Sequence, residues 1–230
     1  MNGNHQQREH AFWRELFERK ARTDKADHRL VGYESSSNAR LLSQTLHRLI
    51  GPIEGKRFLD AGSGDGQVSA AFMDRNRVVC SDFSAGMARR AMKRGAGGVA
   101  CDLLALPFAD ASFDLAICVE VVQCTPDPEA VAGELLRVLR PGGRLLMTTP
   151  NKHSALRRVN RLLRPSRSEV APRLAATGDF RRMFESLGAS VERVVYVAYY
   201  IKWVAESRGG PLEPFRRLVA TNFIIQVDRR

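Results

Sequence analysis

The sequence predicts an α/β chain: a doubly wound sheet of seven strands, mostly parallel, with helices on both faces. Three observations predict it. From about residue 57 to residue 149, short apolar runs alternate with helix-like stretches, the rhythm of βαβ units. The first apolar run breaks into a glycine turn, FLDAGSGDG over residues 58–66. Carboxylates then recur behind successive runs: Asp60, Asp82, Asp102 and Glu120 are 22, 20 and 18 residues apart, about one βα unit each.

Taken in order, residues 8–25 place Phe12, Trp13, Leu16 and Phe17 among many charges at near-helical spacing, which predicts an amphipathic helix outside the sheet. GYESSS (32–37) reads as a loop. A second helix follows over 38–50, with Leu41, Leu42, Leu46, Leu49 and Ile50 on one face and Gly51–Pro52 ending it. Strands are predicted over 57–61, 77–82, 98–101, 113–119 and 143–149, with helices between them over 66–74, 84–94 and 128–139. The last of these helices has a defined start, with Asp127 as N-cap, Pro128 at the first helical position and Glu129 in the first turn. Pro141–Gly142–Gly143 stops it.

After Pro150 the character changes. Residues 151–182 hold nine Lys or Arg and two acids, a net charge of +7 in 32 residues. A helix then runs from Thr177, a candidate N-cap, to Gly188, with Phe180, Phe184 and Leu187 on one face. Strands over 191–199 and 219–227 complete the sheet. The pattern divides the chain into an N-terminal helical cap (1–50), an α/β core (51–151), a basic insertion or lid (152–176) and a C-terminal unit (177–230) that completes the sheet.

Composition bounds the function. With 230 residues and 44% hydrophobic content, the chain can bury one sizeable core. No apolar run approaches the ~18–20 residues of a membrane span, and MNGNHQQREHAFW lacks the apolar stretch of a secretory signal. A cytoplasmic location is the expectation. Cys80, Cys101, Cys118 and Cys124 form no C-x-x-C pair and read as buried thiols rather than metal ligands, so no metal is expected. The net charge of +11 suggests an acidic partner, although an arginine-rich composition alone produces the same excess.

The glycine turn carries the chemistry. Gly62, Gly64 and Gly66 are spaced G-x-G-x-G, unlike the G-x-G-x-x-G of dinucleotide sites. Asp60 and Asp65 sit in or beside the turn. Carboxylates there repel a pyrophosphate and suit a cation, which disfavours a nicotinamide-dependent oxidoreductase. In an open α/β sheet, ligands bind beyond the carboxyl ends of the strands. An acid behind the second strand, Asp82, can accept from both ribose hydroxyls. One behind the third, Asp102, can accept from an adenine amino group, with the Leu103 N–H free for a ring nitrogen. Phe83 and Met87 offer apolar faces. Each acid taken alone reads equally well as a helix cap or loop carboxylate; the recurrence of all four behind one glycine turn is what carries weight.

The stretch from Arg57 to Asn151 resembles the core of the class I S-adenosylmethionine-dependent methyltransferases, in particular the type-11 small-molecule group. FLDAGSGDG resembles their first motif, VVCSDFSAGMARRA (78–91) their acidic second strand, CDLLALPFADASFDLAICVEVVQCTPDP (101–128) the next two blocks, and ELLRVLRPGGRLLMTTPN (134–151) the helix and strand that close the core. The resemblance implies a Rossmann-like fold, with S-adenosylmethionine as cofactor and S-adenosylhomocysteine as product. It implies that Ala61, Gly62, Ser63, Gly64 and Gly66 hold the methionine part, with Asp60 facing its ammonium. Asp82 binds ribose, Asp102 and Leu103 bind adenine, Phe83 and Met87 flank the base, and Val119 and Glu120 line the sulfonium side. It implies methyl transfer to an O, N or C nucleophile of a small molecule by in-line displacement.

Several relatives place a histidine or another ring-bearing residue just after the fourth strand, where this chain reads Val121, Val122, Gln123 and Cys124, so no catalytic role transfers there. Tyr33, Glu34, Gln123, Asn151, His153 and Tyr196, Tyr199 and Tyr200 remain candidates on the acceptor side. An exposed loop histidine is the favoured reading of His153, and a strand with one buried and one wet face that of the tyrosines. The basic stretch SALRRVNRLLR (154–164) reads first as a lid over the acceptor pocket, second as a helix for a weak contact with an anionic membrane surface, and third as a nucleic-acid contact. It lacks the interleaved aromatics of RNA readers, and VEVVQCTPDP lacks the Pro-Pro-aromatic motif of enzymes acting on exocyclic amines. Nucleic acid is therefore the disfavoured partner. The alternatives to a small-molecule methyltransferase are a nucleic-acid methyltransferase and a non-catalytic S-adenosylmethionine-binding regulator.

Overall fold

A computed structural model describes residues 3–23, 36–163, 175–199, 203–206 and 211–229. Helices α1 (Gly3–Ala21) and α2 (Ser36–Ile50) precede strand β1 (Arg57–Ala61). Strand β2 (Arg77–Asp82), helix α3 (Ala85–Lys93), strands β3 (Gly97–Ala100) and β4 (Phe113–Val119), helix α4 (Pro128–Val138) and strand β5 (Leu139–Pro150) follow. The C-terminal part holds α5 (Ala155–Leu163), α6 (Thr177–Ser186), β6 (Ser190–Ala198), β7 (Trp203–Glu206), α7 (Glu213–Val219) and β8 (Asn222–Asp228).

The strands form one sheet in the order β3-β2-β1-β4-β5-β8-β6-β7. The first five are parallel, and β8 runs antiparallel to both β5 and β6. The sheet thus has eight strands where seven were expected. The added strand is β7, a short edge that pairs Val195–Ala198 with Trp203–Glu206; four residues are too few to show an alternation in sequence.

Period-two patterning decides the two faces. Leu59, Ala116, Cys118, Leu145 and Met147 pack with Val131 and Leu135 of α4 and with Phe180 and Phe184 of α6. Their neighbours Phe58, Leu115, Ile117 and Leu146 point the other way, onto Leu42 and Leu46 of α2 and Ala91 of α3. In β8, Phe223 and Ile225 take the first face and Ile224 the second. This is the doubly wound α/β fold expected.

Several boundaries differ for local reasons. The helix expected over 66–74 is a single 3-10 turn at Ala70–Phe72. The Ser69 hydroxyl donates back to the Gly66 carbonyl, and the Asn76 amide donates to the carbonyls of Phe72 and Ile53, so side chains take up backbone groups a helix would need. Pro141–Gly142–Gly143 does not separate α4 from β5. It bulges within β5, so that Phe113 pairs with Leu139 while Leu115 pairs with Arg144. Helix α6 begins after Ala176, whose N–H donates to the Asp179 carboxylate; Thr177 is its first residue, not its cap. Asp127 caps α4 as expected, accepting from the N–H groups of Glu129 and Ala130.

Among the described residues, helix α1 contributes to neither apolar cluster of the sheet. It packs on α3 and on the 3-10 turn Val122–Cys124. Gly86 allows the approach, since a Cβ there would lie 2.6 Å from that of Ala21. Glu18 accepts from the Ser84 hydroxyl and the Gly86 N–H, and Arg90 donates to the carbonyls of Ala21 and Thr23.

Candidate active site

The strand order reverses between β1 and β4, and a cleft opens beyond their carboxyl ends, where such sheets bind ligands. Its floor is the glycine turn. The N–H groups of Gly62 and Ser63 both donate to the Ser81 carbonyl at the end of β2, at 2.7 and 2.9 Å. Gly62 sits at φ +71°, and a Cβ there would fall 2.4 Å from the Val121 side chain, so any other residue would meet both backbone strain and a clash.

Asp82 ties the turn to the next strand. One carboxylate oxygen accepts from the Gly64 N–H and the other from the Ser84 N–H, both at 2.9 Å. Burial nevertheless pushes its carboxyl up to about 6. Asp60 is also buried and its Oδ2 has no hydrogen-bond partner. Burial, with the negative charges of Asp82 and Asp65 beside it, raises Asp60 to about 7. Asp65 is buried too, and Arg94 neutralises it at 2.7 Å. The floor is thus acid-rich, and a cation bound above it would relieve an electrostatic penalty.

The lining combines Gly62, Gly64, Asp82, Phe83, Asp102, Leu103, Val119 and Glu120. Asp60, Ala61, Ser63, Gly66 and Met87 are not in it. Met87 is fully buried in α3, its N–H donated to the Ser84 hydroxyl, so it offers the cleft no apolar face. Asp102 accepts from the Leu104 N–H with one oxygen and faces His10 at 3.5 Å with the other.

Five lining residues were not anticipated: His10 and Phe17 of α1, and Val121, Cys124 and Thr125 behind β4. The Phe83 ring lies between those of His10 and Phe17, with centroids 5.8 and 6.1 Å away. The aromatic face of α1 was visible in sequence, but its destination was not. Burial pushes the Cys124 thiol up to about 12, so it stays protonated.

Glu120 has φ +57°, an uncommon backbone for a side chain of this size, and bonds hold it there. Its N–H donates to the Thr148 hydroxyl, and its carboxylate accepts from Thr148 at 3.0 Å and from the Asn222 amide at 2.7 Å. Asn222 in turn accepts from the Arg157 guanidinium at 2.9 Å. Burial raises the Glu120 carboxyl against the pull of Arg157 and these bonds.

Four of the five acceptor-side candidates among the described residues are buried and bonded or packed within the fold. Asn151 donates to the carbonyls of Arg217 and Ala220 and accepts from the His153 N–H; His153 itself is exposed. Tyr196 is fully buried and donates to Glu213, and Tyr199 is buried on the second face. Gln123 is buried beside Glu120, to which it donates. Tyr33, Glu34 and Tyr200 lie outside the described residues.

Residues 59–147 match the family model of the methyltransferase domain. Over that stretch the chain is similar to the family of methyltransferase domains. Relatives of this domain include a demethylmenaquinone methyltransferase of Clavibacter sepedonicus, 37% identical over 119 residues, which make up 49% of each chain. A malonyl-[acyl-carrier protein] O-methyltransferase of Pseudescherichia vulneris is 36% identical over 153 residues, 61% of each chain. The chain therefore spans about half to three fifths of the length of these relatives. Among solved structures, a Thermotoga maritima S-adenosylmethionine-dependent methyltransferase, described as a possible histamine N-methyltransferase, superposes with a TM-score of 0.72 at 22% identity. That alignment covers 94% of this chain and 99% of the other, so the shared fold extends beyond the matched residues.

Proposed function

We propose that this chain is an S-adenosylmethionine-dependent enzyme that transfers a methyl group to an O, N or C nucleophile of a small molecule. One observation carries the reading: carboxylates at the ends of four neighbouring parallel strands surround a glycine turn, and one of them, Asp60, is buried with an unpartnered oxygen. A ligand bearing an ammonium and a sulfonium fits that acid-rich floor, and a pyrophosphate does not.

When bound, the cofactor supplies an electrophilic methyl group on a sulfonium leaving group. The residues of the chain do the rest. The turn from Ala61 to Gly66 would hold the methionine part, and Asp60, buried at the end of β1, would supply negative charge for its ammonium. Asp82 keeps lone pairs for the ribose hydroxyls beyond the two N–H groups it already accepts. Asp102 and Leu103 address the adenine, with Phe83 on its apolar side. His10 and Phe17, which bracket Phe83, close that side against water. Val119 and Glu120 border the space where the acceptor meets the methyl. Alignment of nucleophile, methyl and sulfur is the main task, worth up to roughly 7–11 kcal/mol in well-oriented reactions. The quinone and acyl-carrier substrates named for the relatives support a small-molecule acceptor.

The test is calorimetry with S-adenosylmethionine and S-adenosylhomocysteine. Both are expected to bind the native chain. Asp82→Ala is expected to weaken them about 10- to 100-fold, because charged hydrogen bonds contribute roughly 1.5–3 kcal/mol each. Unchanged affinity in that variant would overturn the site assignment.

A further inference from the structure

Helices α5 and α7 pack against each other beyond the carboxyl end of β5, and both are amphipathic in the inverted sense. Their polar groups point inward. Arg157 of α5 donates to the Thr221 carbonyl and to Asn222. Glu213 of α7 is buried, accepts from the Tyr196 hydroxyl and lies 3.6 Å from the guanidinium groups of Arg216 and Arg217. Their large apolar side chains point outward: Val159, Leu162 and Leu163 on α5 are 52%, 83% and 76% exposed, and Leu212, Phe215 and Leu218 in and before α7 are 60%, 59% and 48% exposed. Scattered exposed leucines are ordinary, whereas six large apolar side chains on two adjoining helices are not.

The same part of the sequence is the most basic. Residues 151–182, which include α5 but not α7, contribute +7 of the chain's net +11; Arg158 is exposed on α5 beside Val159, and Arg217 of α7 is half-exposed. We propose that the joint outer face of α5 and α7 docks on an anionic lipid bilayer, apolar side chains entering the interface and arginines meeting the headgroups. Charge decides among possible occupants. A second copy would bring the same arginines and repel them. A nucleic acid would answer the charge and leave the apolar face in water. An anionic bilayer offers both phases.

The face adjoins the candidate active site. Arg157 on the inner side of α5 holds Asn222, and Asn222 holds Glu120 in the cleft lining. Docking would therefore place the acceptor side of the cleft next to the bilayer. The inference stands apart from methyl transfer, since vesicle binding requires no cofactor and no turnover.

The experiment is flotation of the native full chain with phosphatidylcholine vesicles, with and without phosphatidylglycerol. Binding is expected to the anionic vesicles and to fall with salt, each basic residue at the surface contributing about fivefold. Leu162→Asn combined with Phe215→Asn is expected to abolish flotation, and Arg158→Glu to weaken it at low salt only. Unchanged circular dichroism and S-adenosylmethionine affinity in these variants show that the fold and the cleft are intact. Equal binding to neutral vesicles, or none to anionic ones, overturns the proposal. So does a dimer of the native chain that the double variant dissolves, which assigns the face to a second copy. RNA binding that survives the double variant, without flotation, assigns the charge to nucleic acid.

Discussion

Gly62 and Asp60 show how single residues set the cleft. Gly62 combines a left-handed backbone with a side-chain wall 2.4 Å from where its Cβ would be. Gly62→Ala is expected to cost at least about 1–3 kcal/mol in backbone strain, with the clash added. In a Val121→Ala background the clash is relieved and the strain remains, which urea unfolding of both pairs can separate. Asp60 makes the opposite kind of contribution. Its folded-state pKa of about 7 lies above the ordinary 3.8, so the neutral form is the one the fold favours. The associated stability is complete below 3.8 and is lost as pH rises through about 7. Unfolding midpoints are expected to fall across that window in the native chain and to flatten in Asp60→Asn. Affinity for a cationic ligand is expected to rise over the same window, as Asp60 ionises, and calorimetry in buffers of different ionisation heat would register the proton released.

At the scale of elements, the loops behind the strands were more legible than the helices that cover them. The acids at the strand ends follow from a two-residue period and a βα repeat, both local. The placement of α1 follows from neither. It depends on Glu18 reaching residues Ser84 and Gly86, more than 60 positions away, and on the absence of a Cβ at Gly86. Hydrogen bonds from Ser84 and Gly86 hold the Glu18 carboxyl below its usual range. The latch is therefore intact above the ordinary carboxylate value of 4.5 and is lost as pH falls through the lower folded value. Glu18→Gln is expected to speed amide exchange in α1 while leaving β4 and α4 protected; uniform protection in the variant would mean that other contacts hold the helix.

At the scale of the whole molecule, the two apolar clusters that hold the sheet contain, among the described residues, none from α1. Deleting residues 1–23 is therefore expected to leave the sheet and its cooperative unfolding in place. It removes His10 and Phe17 from the cleft, and the affinity for S-adenosylmethionine is expected to drop while far-ultraviolet dichroism loses only the helix. Loss of folding in the truncated chain would show that α1 belongs to the core after all. Among the described residues, no helix is long and apolar enough to cross a membrane.

The amino-acid sequence by itself determined the βα alternation, the glycine turn and the carboxylates behind the strands, because each depends on residues close together in the chain. It left undetermined which helix closes the cleft, that Tyr196 and Asn151 brace the fold, and that α5 and α7 turn their apolar sides to solvent. Those outcomes rest on pairings such as Glu120 with Asn222, 102 residues apart. Side chains so far separated meet only once the sheet has placed β4, β5 and β8 side by side.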